Sequence, residues 1–190
     1  MKTNFQNKIL VCFDLHDTLL SSQKAWIIAF KEITKNDNKK FEAIKKEYLD
    51  GGWKREICKK YGYDYNDLKN IYLGIVEPME EVKKFCLEMK KRHKVFIITN
   101  ATYKRALEDI GILKIDFEKV YSRDNGIKPD TEYIKNILKE NDMEKMIMVG
   151  NEYERDVFDL PNTKSIIVNK KSTFNDLINE YNLIIKFFTN

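Results

Sequence analysis

Short apolar runs that end in polar residues recur along the chain, and they predict strands buried on both faces, as in parallel sheets. The first run, Ile-Leu-Val-Cys-Phe at 9–13, leads directly into Asp14. Further runs of this kind lie at 94–100, 120–121, 146–150 and 165–168. Apolar residues at helical spacing separate them, as at 131–140, and predict a helix to about Ile110 that Gly111 closes and a last helix from Thr173 to Tyr181. Strands that alternate with helices in this way predict a doubly wound, mostly parallel α/β sheet.

The stretch 21–75 differs, because its apolar residues follow helical spacing throughout and no strand pattern appears. An Asn-Asp-Asn segment at 36–38 breaks the first of its helices, and a glycine pair at 51–52 ends the second. Two more short helices are predicted at 53–61 and 64–73, separated at Gly62. We therefore expect two domains. One is a Rossmann-like α/β core built from 1–20 and 76–190, and the other is a small helical domain inserted between them.

Composition narrows the class of protein. A chain of 190 residues with 43% hydrophobic and 34% charged residues is typical of a soluble globular protein. No apolar run is long enough to span a bilayer, and residues 1–8 lack the hydrophobic stretch of a signal peptide, so we expect a cytoplasmic protein without a membrane partner. The three cysteines predict no disulfide framework, and two histidines are too few for a Cys/His zinc site.

Positive charge is concentrated in one region. The stretch 21–75 has 12 Lys or Arg and 8 Asp or Glu, a difference of +4 that equals the net charge of the whole chain. Lysine pairs at helical spacing with acids between them usually form a solvated helix face. Mild steering of an anionic substrate is the second interpretation. Nucleic-acid binding is not expected, because the patch is mixed in sign and no recognisable binding module accompanies it.

Polar side chains follow the predicted strands at their carboxyl ends. Parallel strands bring these ends to one edge of the sheet, where open α/β sheets bind ligands. The set combines carboxylates for a hard divalent cation, hydroxyl and amide groups, and one lysine for anionic oxygens. A carboxylate can also attack phosphorus and form an acyl-phosphate. The residues are Asp14, His16, Asp17, Thr18, Thr99, Asn100, Lys128, Glu152 and Asp156.

Each of these residues also has a plainer interpretation. Asp14 or Thr99 can cap a helix, and Lys128 can lie in a surface turn before proline. Glu152 and Asp156 can form an exposed pair in the first turn of a helix, where acids are favoured. The occurrence of all of them at successive strand ends disfavours this joint interpretation.

Four segments, in order, resemble the motifs of the haloacid dehalogenase-like (HAD) hydrolases. The first is Phe-Asp-Leu-His-Asp-Thr-Leu at 13–19, and the second is Thr99 followed by Asn100. The third is Lys-Pro-Asp at 128–130, and the fourth runs from the strand end at 149 to the acid at 156. The resemblance covers nearly the whole chain. The helical stretch between the first two motifs resembles the family's C1-type cap.

The resemblance implies a Mg²⁺-dependent phosphatase acting on a small phosphorylated metabolite. Asp14 would attack the phosphoryl group and form an aspartyl-phosphate, which water then cleaves. The groups expected to hold the phosphoryl oxygens are Thr99, the Asn100 backbone N–H and Lys128. Mg²⁺ would be held by the Asp14 carboxylate, the His16 backbone carbonyl and the acids near Asp156.

His16 departs from the family pattern, since phosphatases of this family carry an acid/base Asp at this position. In an extended segment, side chains two residues apart project the same way, so His16 is expected to point with Asp14. Asp17 would then face elsewhere unless the loop twists. Imidazole, with an ordinary pKa of about 6.5, is a competent proton donor. We hypothesise that His16 protonates the leaving alcohol; the alternative is that proton transfer is lost.

The fourth motif departs as well, because Asn151 occupies the usual position of the first acid and an amide is a weaker cation ligand. Either Glu152 supplies a ligand, or Asn151 contributes its carbonyl oxygen while Asp156 supplies the charge. Metal binding is expected in both cases.

Two other functions remain open at this level. Haloacid dehalogenases use the same Asp nucleophile on carbon, need no metal and also lack the second Asp. A binding protein that kept the fold but lost catalysis is the second alternative. The acids near Asp156 and the basic helical region favour the phosphatase. One fold hosts many chemistries, so the fold alone does not decide among them.

Overall fold

The computed structural model describes residues 8–35 and 37–189, so predictions made for 1–7 and for Asn36 lie outside the described residues. The chain divides into two compact units. The α/β unit comprises 1–20 and 78–190, and the helical unit comprises 21–77.

The elements follow one another in the order that the sequence pattern predicts. The strands are β1 (Ile9–Phe13), β2 (Lys94–Ile98), β3 (Lys119–Tyr121), β4 (Lys145–Gly150) and β5 (Thr163–Ile167). The helices are α1 (Ser22–Ile33), α2 (Asn38–Leu49), α3 (Lys54–Tyr61), α4 (Tyr65–Ile75), α5 (Glu80–Lys90), α6 (Tyr103–Leu113), α7 (Thr131–Glu140), α8 (Tyr153–Asp156) and α9 (Phe174–Thr189).

The five strands form one sheet in the order β3-β2-β1-β4-β5, and every neighbouring pair is parallel. The central strand β1 pairs with β2 on one side and β4 on the other. The chain therefore fills one half of the sheet before it crosses to the other half, which places the topological switch point at β1. This confirms the predicted doubly wound parallel sheet.

Both faces of the sheet are covered, which explains why its central strands β1 and β4 are almost continuously apolar. On one face, Leu10 and Cys12 of β1 join a buried cluster with Ile134 of α7. On the other face, the Phe13 ring lies 6.0 Å from the Phe85 ring of α5. All five residues of β1 are buried, so the strand is a rigid support for the residue that follows it.

Two helices extend beyond their predicted ends. Gly111 is a helix-end signal in the sequence, but α6 continues to Leu113 and ends at Lys114, which has φ 53°. The apolar face of α6 continues past the glycine, and this outweighs the signal. The last helix is predicted to end near Tyr181, but α9 continues to Thr189 with Phe188 buried. In both cases burial of apolar residues decides the length.

The helical unit contains its own packed core. The Trp26 ring of α1 stacks on the Tyr72 ring of α4, with centroids 4.0 Å apart, and the Tyr72 hydroxyl lies 3.2 Å from Ser22 Oγ. Asp37 caps α2 by accepting a hydrogen bond from the Lys40 backbone N–H. Gly62, with φ 76°, ends α3 as predicted.

None of the helices in the described part of the chain has the length and apolar character needed to cross a membrane.

Candidate active site

Three charged residues from three strand-following segments meet in the interior of the α/β unit. Lys128 Nζ donates to Asp14 Oδ1 at 2.8 Å and to Asp156 Oδ1 at 2.5 Å. Asp14, Lys128 and Asp156 are 8%, 4% and 1% exposed. We call these three residues the Lys128 cluster. Its burial excludes the interpretations of Lys128 as part of a surface turn and of Asp156 as an exposed helix-end acid.

The position of Asp14 is fixed because its backbone continues the hydrogen bonding of the central strand β1 with β4. Its backbone N–H donates to the Val149 carbonyl of β4 at 2.8 Å. The carboxylate therefore leaves the sheet at the switch point, where open α/β folds bind their ligands.

Lys128 is held by the side chain of Asn100, the residue after Thr99. Asn100 Oδ1 accepts from the Lys128 backbone N–H at 2.9 Å, and Asn100 Nδ2 donates to the Lys128 carbonyl at 3.2 Å. Asp130 then caps α7, accepting from the backbone N–H groups of Glu132 and Tyr133. The amide of Asn100 thus positions the lysine, a role that the sequence pattern does not reveal.

Asp156 is held equally firmly. Its Oδ2 accepts from the Glu152 backbone N–H at 3.0 Å, and its backbone carbonyl accepts from Ser165 Oγ at 2.6 Å. The carboxylate packs directly against Gly150, where an added Cβ would lie 2.2 Å from Asp156 Cγ. A glycine is therefore required at this strand end so that the acid can approach the backbone.

The electrostatics of the Lys128 cluster leave one negative charge in excess when all three groups are ionised. Burial raises the pKa of Asp156, and Lys128 offsets only part of this effect. Burial works to lower the pKa of Lys128, but Asp14 and Asp156 outweigh it and its pKa is raised. The lysine therefore stays charged, and the unbalanced carboxylate charge favours a further cation.

The remaining predicted site residues take different positions. Thr99 is buried, and its hydroxyl accepts from the Ala101 backbone N–H at 3.3 Å. The buried Thr18 donates to Asn151 Oδ1 at 3.1 Å. The Glu152 carboxylate faces Arg155, with Oε2 3.1 Å from Arg155 Nε.

His16 lies outside the Lys128 cluster and makes a strong contact of its own. The loop turns at Asp17, which has φ 56°, so the extended geometry assumed from the sequence ends there. His16 Nε2 lies 2.7 Å from Asp109 Oδ2, which also accepts from Arg105 Nε at 2.6 Å. We call His16, Arg105 and Asp109 the Asp109 cluster.

Asp109 is the main residue that sequence analysis missed. It is fully buried on α6, on the same helix face as Ala106 and Leu113. A carboxylate between apolar residues at helical spacing is the sequence signal that points to it.

The oxygen ligands present suit Mg²⁺, although no group of three or more His, Cys, Asp or Glu side chains within 8–35 and 37–189 is arranged to hold a metal. Asp14 and Asp156 supply two carboxylates. Mg²⁺ usually needs only one or two, because substrate phosphate and water complete its octahedron. The side-chain oxygens of Asn151 and Glu152 contact Thr18 and Arg155 instead.

A thiol nucleophile is excluded near this edge. Cys12 is fully buried in β1, and burial raises its pKa far above neutrality. The reactive thiolate would not form there.

A sequence model of the family described as haloacid dehalogenase-like hydrolase matches residues 11–158, which include Asp14, Lys128 and Asp156. The chain belongs to the haloacid dehalogenase-like hydrolase family. No curated protein sequence matches the chain.

Solved structures of HAD hydrolases share the fold. The HAD-hydrolase YfnB of Bacillus subtilis, bound to magnesium, is 14% identical with a TM-score of 0.66, and the match covers 94% of this chain and 99% of that one. A Thermotoga maritima protein assigned as a β-phosphoglucomutase is 15% identical, with a TM-score of 0.65 and coverage of 90% and 98%. A Haemophilus somnus protein described as a predicted phosphoglycolate phosphatase is 18% identical, with a TM-score of 0.59 and coverage of 90% and 88%.

Proposed function

We propose that this HAD hydrolase is a Mg²⁺-dependent phosphatase that acts on a small phosphorylated metabolite through an aspartyl-phosphate on Asp14. The observation that carries the proposal is the Lys128 cluster, in which a buried lysine joins the carboxylates of Asp14 and Asp156. Two of the solved relatives, described as a phosphoglycolate phosphatase and a β-phosphoglucomutase, act on phosphate esters by their names, which supports the substrate class.

Asp14 is the nucleophile in this proposal. One of its carboxylate oxygens bonds to phosphorus as the bond from phosphorus to the ester oxygen breaks, and the alcohol leaves with a proton. Water then attacks the phosphorus and releases inorganic phosphate, which returns the carboxylate. Lys128 Nζ, which lies 2.8 Å from Asp14 Oδ1, would neutralise phosphoryl oxygens beside the nucleophile. Thr99 and the Asn100 backbone N–H are the further phosphate-binding groups.

The metal is assigned to Asp14 and Asp156, together with the backbone carbonyl of His16. Mg²⁺ bound there supplies positive charge that lets an anionic carboxylate approach an anionic phosphate. Asn151 and Glu152 remain candidate ligands that would first have to leave Thr18 and Arg155.

His16 is assigned as the proton donor to the leaving alcohol, in place of the Asp that other members carry. The helical unit is assigned as a C1-type cap that selects the leaving group. Substitutions in the helical unit are then expected to change the ranking of substrates.

A screen of phosphorylated metabolites for phosphate release, with Mg²⁺ present or chelated, tests the proposal. We expect release that needs Mg²⁺ and that falls at least about 1000-fold in Asp14→Asn, because the amide is not a nucleophile. Asp116→Asn, which changes an exposed loop acid, is the matched control and should retain full activity. Phosphate release that persists in Asp14→Asn would contradict the proposal. Halide release from a haloacid in a parallel assay without metal would identify a dehalogenase instead.

A further inference from the structure

The Asp109 cluster joins two segments that lie 93 residues apart in the chain. His16 comes from the loop after β1, whereas Asp109 lies on the buried face of α6. The Asp109 carboxylate accepts from His16 Nε2 and from Arg105 Nε with the same oxygen, at 2.7 Å and 2.6 Å. Both bonds are short, as expected when one partner is charged.

The contact decides which nitrogen of the imidazole is available for chemistry. A carboxylate only accepts hydrogen bonds, so Nε2 must carry a hydrogen towards Asp109. Proton exchange with any other group must then use Nδ1. The side chain of His16 is 27% exposed, while that of Asp109 is fully buried, so the ring is partly accessible although its partner is not.

We infer that Asp109 is a positioning residue that fixes the orientation of His16 through its Nε2–H, so that the protonated ring delivers its Nδ1 proton to the leaving alcohol and is left as the Nε2–H tautomer. The inference rests on the proposed phosphatase function. It explains how a histidine replaces the usual Asp in this member: the imidazole reaches further from the backbone, and a second carboxylate holds its ring in one orientation.

The burial of Asp109 favours a role in orienting His16 over a purely structural role. Its Oδ1 is buried without a hydrogen-bond partner in the part of the chain that the structure describes. A buried carboxylate with an unsatisfied oxygen costs stability, and apolar residues of similar volume usually pack such a site at least as well. A pair that serves only to attach the loop to α6 would therefore be better made by apolar contact.

The dependence on leaving group tests the inference, because a proton donor matters only for alcohols that leave poorly. An alkyl phosphate needs the proton, whereas p-nitrophenyl phosphate has a leaving group that departs without one. We compare the first turnover of alcohol release from both substrates in the wild type, Asp109→Asn and His16→Ala, with Mg²⁺ present. Asn has nearly the same size as Asp, but its side chain is uncharged. It therefore no longer forces Nε2 of His16 to carry the hydrogen.

We expect Asp109→Asn to slow alcohol release from the alkyl phosphate about 100-fold, the usual range for proton transfer, and release from p-nitrophenyl phosphate less than about 3-fold. The double variant His16→Ala/Asp109→Asn should be no slower than His16→Ala, since Asp109 acts through His16. Equal losses with both substrates would show a structural role and overturn the inference. Additive losses in the double variant would also overturn it.

The imidazole tautomer gives a readout that does not depend on turnover. ¹⁵N shifts of the His16 ring should report hydrogen on Nε2 in the wild type and a changed distribution in Asp109→Asn, with His93 as the internal reference for an intact fold. An unchanged His16 signal would overturn the inference. Failure of the phosphatase proposal looks different, because Asp14→Asn would then release alcohol from both substrates as fast as the wild type.

Glu88→Gln is the matched control. Glu88, like Asp109, accepts from cations at helical spacing, Lys91 and Arg92, but it lies on the surface of α5. It should leave both first-turnover rates and the His16 shifts unchanged, and a change in either would show that loss of a helix ion pair alone causes the effect.

Discussion

The Lys128 cluster and the Asp109 cluster belong to the same unit, but their charge arrangements are opposite. In the first, one cation lies between two carboxylates, and negative charge is in excess. In the second, one carboxylate lies between a guanidinium and an imidazole. Buried charges need partners in both cases, yet only the Lys128 cluster is left with a surplus of charge, because Arg105 balances Asp109.

This difference matches what each cluster can bind. In the proposed phosphatase, the two fixed carboxylates hold the metal ion, and the lysine meets the phosphate that the ion brings. The single carboxylate of the Asp109 cluster is already neutralised by Arg105, and under the further inference it orients a proton donor instead. The proposed phosphoryl transfer needs both functions, which are then divided between two buried networks.

The largest effect on stability is expected from Lys128→Met. The variant leaves two buried carboxylates without their cation, a loss of roughly 3–5 kcal/mol in the free energy of unfolding. Arg105→Met should cost less, because Asp109 keeps His16 as a partner. Urea unfolding of both variants measures the difference, and a larger loss in Arg105→Met would contradict the ranking of the two clusters.

The loss in Lys128→Met should also depend on pH. Burial raises the pKa of Asp156, and removal of Lys128 raises it further, so the native variant takes up a proton before the unfolded chain does. The stability deficit is therefore full at neutral pH and shrinks as the pH falls through the raised pKa. A deficit that grows on acidification would contradict this charge assignment.

The next largest loss of stability is expected from Gly150→Ala, which acts on the Lys128 cluster. The new Cβ would lie 2.2 Å from Asp156 Cγ, so the acid must move, at a cost of about 1–3 kcal/mol. Mg²⁺-dependent phosphate release should fall with it. Gly74→Ala is the control, because nothing lies within 4 Å of a Cβ there and a helical alanine should stabilise α4. Unchanged phosphate release in Gly150→Ala would argue against Asp156 as a metal ligand.

A smaller loss in the free energy of unfolding is expected from Thr18→Val, which tests the contact between Thr18 and Asn151. It removes the bond to Asn151 Oδ1 but keeps the shape of the buried side chain, a cost of about 1 kcal/mol. Thr189→Val, at the exposed end of α9, should change stability by less than about 0.5 kcal/mol. If both variants are equally stable, the Thr18–Asn151 contact contributes nothing.

The smallest effect is expected from an exposed ion pair. Lys91, followed by Arg92, lowers the pKa of Glu88, so its contribution is present above the ordinary carboxyl pKa and is lost as the pH falls through the lowered one. Glu88→Gln should lower the melting temperature slightly at pH 7 and not at pH 3. Added salt should remove the difference, because exposed pairs are screened. A difference in melting temperature that does not depend on salt would show that this ion pair behaves like the buried clusters.

Much of the fold follows from local pattern. The apolar runs at β1, β2 and β4 predict the sheet, because a strand covered on both faces must be apolar throughout. The helical pattern of the helical unit likewise predicts its four helices. Helix ends are less predictable, as Gly111 inside α6 shows, since apolar packing outweighs a local signal.

The sequence by itself determined that Asp14, Lys128 and Asp156 follow strands of one parallel sheet, because hydrophobic periodicity sets the strands and parallel order sets which ends meet. Only the tertiary structure decided which side chains touch. It paired His16 with Asp109 and Thr18 with Asn151 across 93 and 133 residues. Such pairs depend on loop geometry and on rotamers fixed by packing, and neither of these produces a periodic pattern in the sequence.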